Sequence, residues 1–293
     1  MKTISLSLIA LMLCLVSGLQ ADESYSIGPV WQRADLQDWQ QYAGRFNAHL
    51  KGDSITMVKD TCHISGFVTA NRVLMNEVII PIVQPLVAEL RQMPKPEMIG
   101  QLALIIFNTY RHLLGTDVYR WGGDLLDLDD PQDQGIRYPY RFGLDCSGFT
   151  AAPYELAVQL NLLRPEEPGA LFSSAGYQLY CRNNRLNDHG GRCGTGNRFR
   201  LDTAELATLG REIMTIPQNS HGDRLDLTTI QPGDIIGFSG HFGIVAGIGQ
   251  DLYYLESGGW AVPERGWQPV RLAEAVTLFA RKGTLSVRRC LTD

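Results

Sequence analysis

Two residues far apart in the chain have the types that nucleophilic catalysis requires: Cys146, within GLDCSGF at 143–149, and His241, within SGHFGIV at 239–245. A thiol attacks as its thiolate, and a helix N-terminus favours that form because its unpaired amides and macrodipole attract negative charge. Cys146 stands where a loop runs into a predicted helix, and the small residues Ser147 and Gly148 after it leave the sulfur accessible. Taken alone, DCSG fits a buried structural cysteine equally well. His241 supplies what a thiol nucleophile needs, a base that takes the proton and an acid that returns it to the leaving amine. A third group has to hold the imidazole tautomer. If Ile248 and Asp251 flank a two-residue Gly249-Gln250 turn, His241 and Glu256 become diagonal neighbours on one face of a hairpin. Tyr254 shares that face by the two-residue period and is one alternative; Glu256 as an ordinary surface carboxylate is the other.

The elements that would position these residues are legible as patterns. AAPYELAVQLNLL brings Leu156, Leu160 and Leu163 onto one helix face behind Cys146. QPGD at 231–234 is a turn, IIGF and HFGIVAGI are two short apolar strands, and DLYYLES is a third. The expected core of this part is an antiparallel sheet of four or more strands packed on the Cys146 helix. Upstream, the segment 22–115 reads as helical. Residues 35–50 carry Leu36, Trp39, Ala43, Phe46 and Leu50 at helical spacing; residues 67–92 form a buried helix broken or kinked at Pro81 and Pro85; a third helix runs from about Glu97 to Leu114. Nothing in this region has the composition of a reactive site, and His49 and His112 read as packed or surface residues. The polar stretch 180–228 shows no sustained period and reads as an insertion.

Composition narrows the class. The chain has 293 residues, 44% of them hydrophobic and 19% charged, which excludes disorder and fibrous repeats. Its net charge of −5 argues against a nucleic-acid binder that relies on phosphate contacts. Residues 1–21 have the layout of a secretory signal peptide: Lys2, an apolar stretch from Leu6 to Val16, then small and polar residues ending at Ala21. The apolar stretch is too short to span a bilayer, so no stable membrane insertion is expected. Cleavage would remove Lys2 and Cys14, leaving five cysteines in an oxidising compartment and therefore at least one free thiol. Cys181 and Cys193 bracket eleven residues, and a local disulfide is the simpler reading; a metal held by Cys181, His189 and Cys193 is the sharper one. Cys62 and Cys290 could bridge the two ends of the chain, which leaves Cys146 as the odd thiol.

Together, YRWGG at 119–123, GLDCSGF at 143–149 and QPGDIIGFSGHFGIVAGIG at 231–249 resemble the NlpC/P60 family of cell-wall cysteine peptidases, in the family's order, over roughly residues 100–260. SSAGYQ at 173–178 resembles the family's stretch after the Cys helix. The resemblance implies an α+β, papain-like fold, with a helix bearing the Cys packed on an antiparallel sheet and an added helical N-terminal region. With the signal peptide at 1–21 and the helical region at 22–96 read from their own patterns, it assigns 97–293 as a catalytic domain with a polar insertion at about 180–228. It implies hydrolysis of peptide bonds in peptidoglycan stem peptides, often between D-Glu and a diamino acid, by an exported protein of the periplasm or cell exterior. By the same likeness Cys146 is the nucleophile and His241 the base, Tyr119 lines the site, and Asp145 and Ser147 contact the substrate's free amine. No cofactor and no metal are implied, and the partners are peptidoglycan or muropeptides. The chain departs from the family in the acidic run LLDLDDPQDQ before Cys146, in the 180–228 stretch, and at Tyr253, which occupies the usual place of the third polar residue. YYLES resembles instead a related amidase and peptidase group in which Glu or Asn completes the site. The alternatives are an amidase cutting between muramic acid and L-Ala, an endopeptidase cutting the D-Ala cross-link, and a non-catalytic wall-binding protein.

Overall fold

The computed structural model describes residues 55–58, 61–64, 78–114, 144–164, 167–168, 187–188, 191–192, 203–238, 240–257 and 269–291. The signal-like segment, the expected helix at 35–50, Tyr119, the acidic run, SSAGYQ and the Cys181 and Cys193 pair lie outside them.

The first two elements depart from the wholly helical reading of 22–115. Strands β1 (Ile55–Val58) and β2 (Thr61–Ile64) form an antiparallel hairpin with Val58 paired to Thr61 across Lys59 and Asp60. The β-branched residues Ile55, Thr56, Val58, Thr61 and Ile64 favour a pleated strand over a helix, and the two-residue connection is the length a hairpin prefers. The next segment is broken as its prolines require. Helix α1 (Ile80–Val83), a 3₁₀ turn at Gln84–Leu86 and helix α2 (Val87–Leu90) follow one another, with Pro81 and Pro85 each in the first turn of its own element. Helix α3 (Lys95–Leu114) then runs for five turns. From Met98 to Tyr110 it is buried on every side, as a helix apolar all round must be. No helix among the described residues is long and apolar enough to cross a membrane.

Helix α4 (Cys146–Gln159) begins at the cysteine itself. Beyond it come the short hairpin of β3 (Asn187–Asp188) and β4 (Gly191–Arg192), then helix α5 (Thr203–Leu206) and strand β5 (Arg211–Ile216). β5 lies inside the stretch expected to be an insertion, yet it forms an edge of the main sheet by pairing with the C-terminal strand. Its polar residues suit an edge, which is why no period marked it in the sequence. Strands β6 (Ile235–Phe238), β7 (His241–Ile248) and β8 (Asp251–Leu255) then form the expected meander, followed by β9 (Val270–Arg271), helix α6 (Leu272–Ala280) and β10 (Leu285–Arg289). The six-stranded antiparallel sheet has the order β5-β10-β6-β7-β8-β9.

The sheet is covered on both faces. Phe242, Ile244 and Ala246 of β7 and Leu255 of β8 share a core with α3 and α4, whereas Val245, Tyr254, Ile236, Leu285 and Val287 share one with α6. A strand buried on both sides reads as a continuous apolar run, which is what HFGIVAGI is. The result is α+β with the Cys-bearing helix on an antiparallel sheet.

The turn before β6 fastens the layers together. Asp234 N–H donates to the carbonyl of Gln231 at 3.1 Å across Pro232 and Gly233, whose φ of +82° suits the third position of a type II turn. The Tyr154 hydroxyl of α4 donates to the carbonyl of Gly233, and the buried Asp234 carboxylate takes two bonds from the Arg289 guanidinium, each 2.8 Å. The end-to-end bridge between Cys62 and Cys290 does not form. Cys290 is a free thiol, because the end of β10 delivers it into the core beside Tyr154.

Candidate active site

Cys146 takes its position from helix capping. Asp145, in extended conformation, is the N-cap of α4, and its Oδ1 accepts from the Gly148 amide and from the Ser147 hydroxyl, both at 2.8 Å. Asp145 and Ser147 are therefore committed first to shaping the helix start. The helix start is in turn fastened to the sheet: the Ser257 hydroxyl, just past β8, donates to the carbonyl of Leu144 at 2.6 Å. This tie brings the first residue of α4 against the start of β7, where the backbone N–H of Phe242 donates to the Cys146 sulfur. Neither Ser257 nor the Phe242 amide was assigned a role from sequence. Ser257 directly follows Glu256, and that adjacency is the signal that could have marked it.

His241 and Glu256 meet as the hairpin register requires. Ile248 pairs with Asp251, and Gly249 carries a φ of +63° at the first central turn position, so Ile244 faces Leu255 and Glu256 lies diagonal to His241. The Nε2 of His241 is hydrogen-bonded to Oε2 of Glu256. Glu256 is thus the histidine's partner. The alternative, Tyr254, has its ring over Gly243, where a Cβ would stand 2.5 Å from the ring's Cζ. The other ring nitrogen of His241, Nδ1, is buried.

All three residues are enclosed: 5% of Cys146, 1% of His241 and 5% of Glu256 is exposed. Enclosure strengthens the pairing of His241 with Glu256, since water no longer competes for either partner. It acts against the thiolate. Burial, reinforced by the neighbouring charge of Asp145, pushes the Cys146 thiol up to about 12, and the amides of Phe242, Ser147 and Cys146 itself recover only part of that. The expectation that the helix N-terminus would by itself lower the thiol's pKa is corrected here: desolvation and a carboxylate one residue away outweigh the dipole. A thiol held this way is neutral at rest and has to give up its proton during attack.

A residue from an element absent from the sequence reading completes the surroundings. Phe279 of α6 stacks on the His241 ring, with centroids 5.3 Å apart and planes inclined by 30°. Among the described residues no group of three or more His, Cys, Asp or Glu side chains is arranged to hold a metal. No family model, curated protein or solved structure matches the chain.

Proposed function

We propose that the chain is an exported cysteine endopeptidase that hydrolyses peptide bonds in peptidoglycan stem peptides, with the bond between D-Glu and a diamino acid as its target, and that it is related to the NlpC/P60 peptidases. The observation that carries the reading is the His241–Glu256 pair, built into the hairpin beside the helix start whose cysteine is free. In this reading Cys146 gives its proton to Nδ1 of His241 as the sulfur attacks the carbonyl carbon. Glu256 holds the imidazole in position and offsets the imidazolium charge. The imidazolium then protonates the leaving amine, and water, deprotonated by the same imidazole, releases the acyl group and regenerates the thiol. The amide of Phe242 favours sulfur bearing negative charge. Asp145 and Ser147 border the thiol, and an anionic group there suits a free ammonium on the substrate. Tyr119, carried over from the family likeness, would line the same cleft. The leader-like residues 1–21 support export to the cell envelope, where that substrate lies.

Digestion of defined muropeptides followed by mass analysis tests both the activity and the bond. The expected result is scission between D-Glu and the diamino acid, abolished in Cys146→Ala with the circular dichroism spectrum unchanged. Products of L-Ala release from muramic acid, or of D-Ala cross-link cleavage, would move the assignment to those bonds. Full activity in Cys146→Ala would remove Cys146 as nucleophile.

A further inference from the structure

The His241 imidazole is held on its edge by Glu256 and on its face by Phe279, and the second contact has no counterpart in the sequence motifs. Phe279 is itself locked. Its ring packs against Tyr254 at 5.2 Å and Phe238 at 6.0 Å, and it is 3% exposed. Tyr254 in turn can lie where it does only because residue 243 has no side chain. Gly243, Tyr254, Phe279 and His241 thus form a chain of contacts from β7 across to α6 and back to β7, two residues from where it began.

A single hydrogen bond to Nε2 leaves the imidazole free to rotate about that bond; a ring stacked on its face removes the rotation. We propose that Phe279 is a positioning residue for His241. Its ring, stacked on the imidazole, fixes the ring plane while Nε2 is held on Glu256, and its π-face favours the imidazolium formed when the proton crosses. In that step the S–H bond of Cys146 breaks and an N–H bond forms at Nδ1, so a neutral pair becomes a thiolate and an imidazolium with no change in net charge. This deepens the peptidase reading and rests on it for its catalytic consequence.

The titratable and charged groups beside this stack, among the described residues, include Glu256, bonded to the imidazole; Tyr254, which packs on Phe279 and feels the charges of Glu256 and Cys146; and Lys282, whose Nζ lies 5.6 Å from the centre of the Phe279 ring. Burial keeps Tyr254 protonated well beyond the working range, so it adds no charge of its own.

The test uses the full chain and the variants Phe279→Leu, Phe279→Met and Phe279→Tyr, read in two ways. Steady-state cleavage of the muropeptide should show kcat per folded molecule lowered about tenfold in the Leu and Met variants with KM unchanged, and largely retained in Tyr, since orientation supplies part of the roughly 10²–10⁴-fold that acid–base groups contribute. The ¹⁵N resonances of Nδ1 and Nε2 in labelled His241, which report the tautomer and its hydrogen bonding, should shift in Leu and Met relative to wild type and stay near it in Tyr. The Met variant serves if Leu does not fold. A lowered Tm with wild-type kcat and wild-type His241 ¹⁵N resonances assigns Phe279 to packing alone and overturns the proposal. A wild-type chain that cleaves no muropeptide ends the peptidase reading instead, while the ¹⁵N resonances still decide whether Phe279 acts on the imidazole.

Discussion

At the scale of single residues the site is a balance between burial and pairing. Cys146 and Cys290 are both buried free thiols, and burial holds each at about 12, well above the ordinary value of 9.0. The unfolded chain releases these protons near pH 9, whereas the folded chain keeps them to about pH 12. The folded form therefore binds more protons across that window, and stability falls as pH rises through it. Cys290 is the cleaner probe because it lies away from the His241–Glu256 pair. Denaturant unfolding at pH 8 and pH 10.5 should show wild type losing about 2 kcal/mol more between the two than Cys290→Ala does. An equal loss in both would mean that Cys290 is not the proton holder the fold makes it. For Cys146 the same neutrality means that reactivity has to be supplied by His241 in the act of attack rather than by a standing thiolate.

At the scale of elements, the site depends on how the hairpin of β7 and β8 is fastened to α4 and to β10. One fastening is Ser257 on Leu144; the other is the QPGD turn, where Tyr154 reaches Gly233 and Arg289 closes on Asp234. Asp234 is 1% exposed, and burial pushes its carboxyl up while the two Arg289 bonds pull it back. Removing the guanidinium leaves the carboxylate without its compensation. Arg289→Met should cost about 3–5 kcal/mol in unfolding free energy, measured by denaturant at neutral pH. A cost below about 1 kcal/mol would show that the pair behaves like an exposed one. α6 is the element that the sequence reading did not contain. LAEAVTLFA follows a two-residue strand, and its apolar face is filled by the sheet side that carries Tyr254 and Val245, so only the packed structure reveals that it reaches His241.

At the scale of the whole molecule, the helices before residue 96 and those after it are not separate bodies. Val78, Ile79, Ile82, Val83, Leu86 and Leu90 belong to the same buried cluster as α3, α4 and the Phe242 side of β7. A chain beginning at Lys95 would expose that face of α3. Burial of each large apolar side chain contributes about 1.5–3 kcal/mol, so deleting these six removes a contribution comparable with the roughly 5–15 kcal/mol by which a domain is ordinarily stable. Such a truncation should be insoluble or lack cooperative thermal unfolding by circular dichroism; a sharp transition at the full-length Tm would show that α3 is covered another way.

Sequence by itself determined the features that depend on local pattern: the helix starting at Cys146, the meander of β6, β7 and β8, the QPGD turn, and the register that sets Glu256 beside His241. A two-residue turn leaves one register, and the period of two then decides which side chains share a face. Tertiary structure decided what depends on residues distant in the chain. It made β5 an edge of the sheet and kept Cys290 from bridging. It also buried Cys146 deeply enough to reverse the pKa shift its helix position predicts, and it brought Phe279 onto the imidazole. The pattern around a cysteine records where its helix begins, but desolvation is set by everything packed against it, and that is fixed only when the layers close.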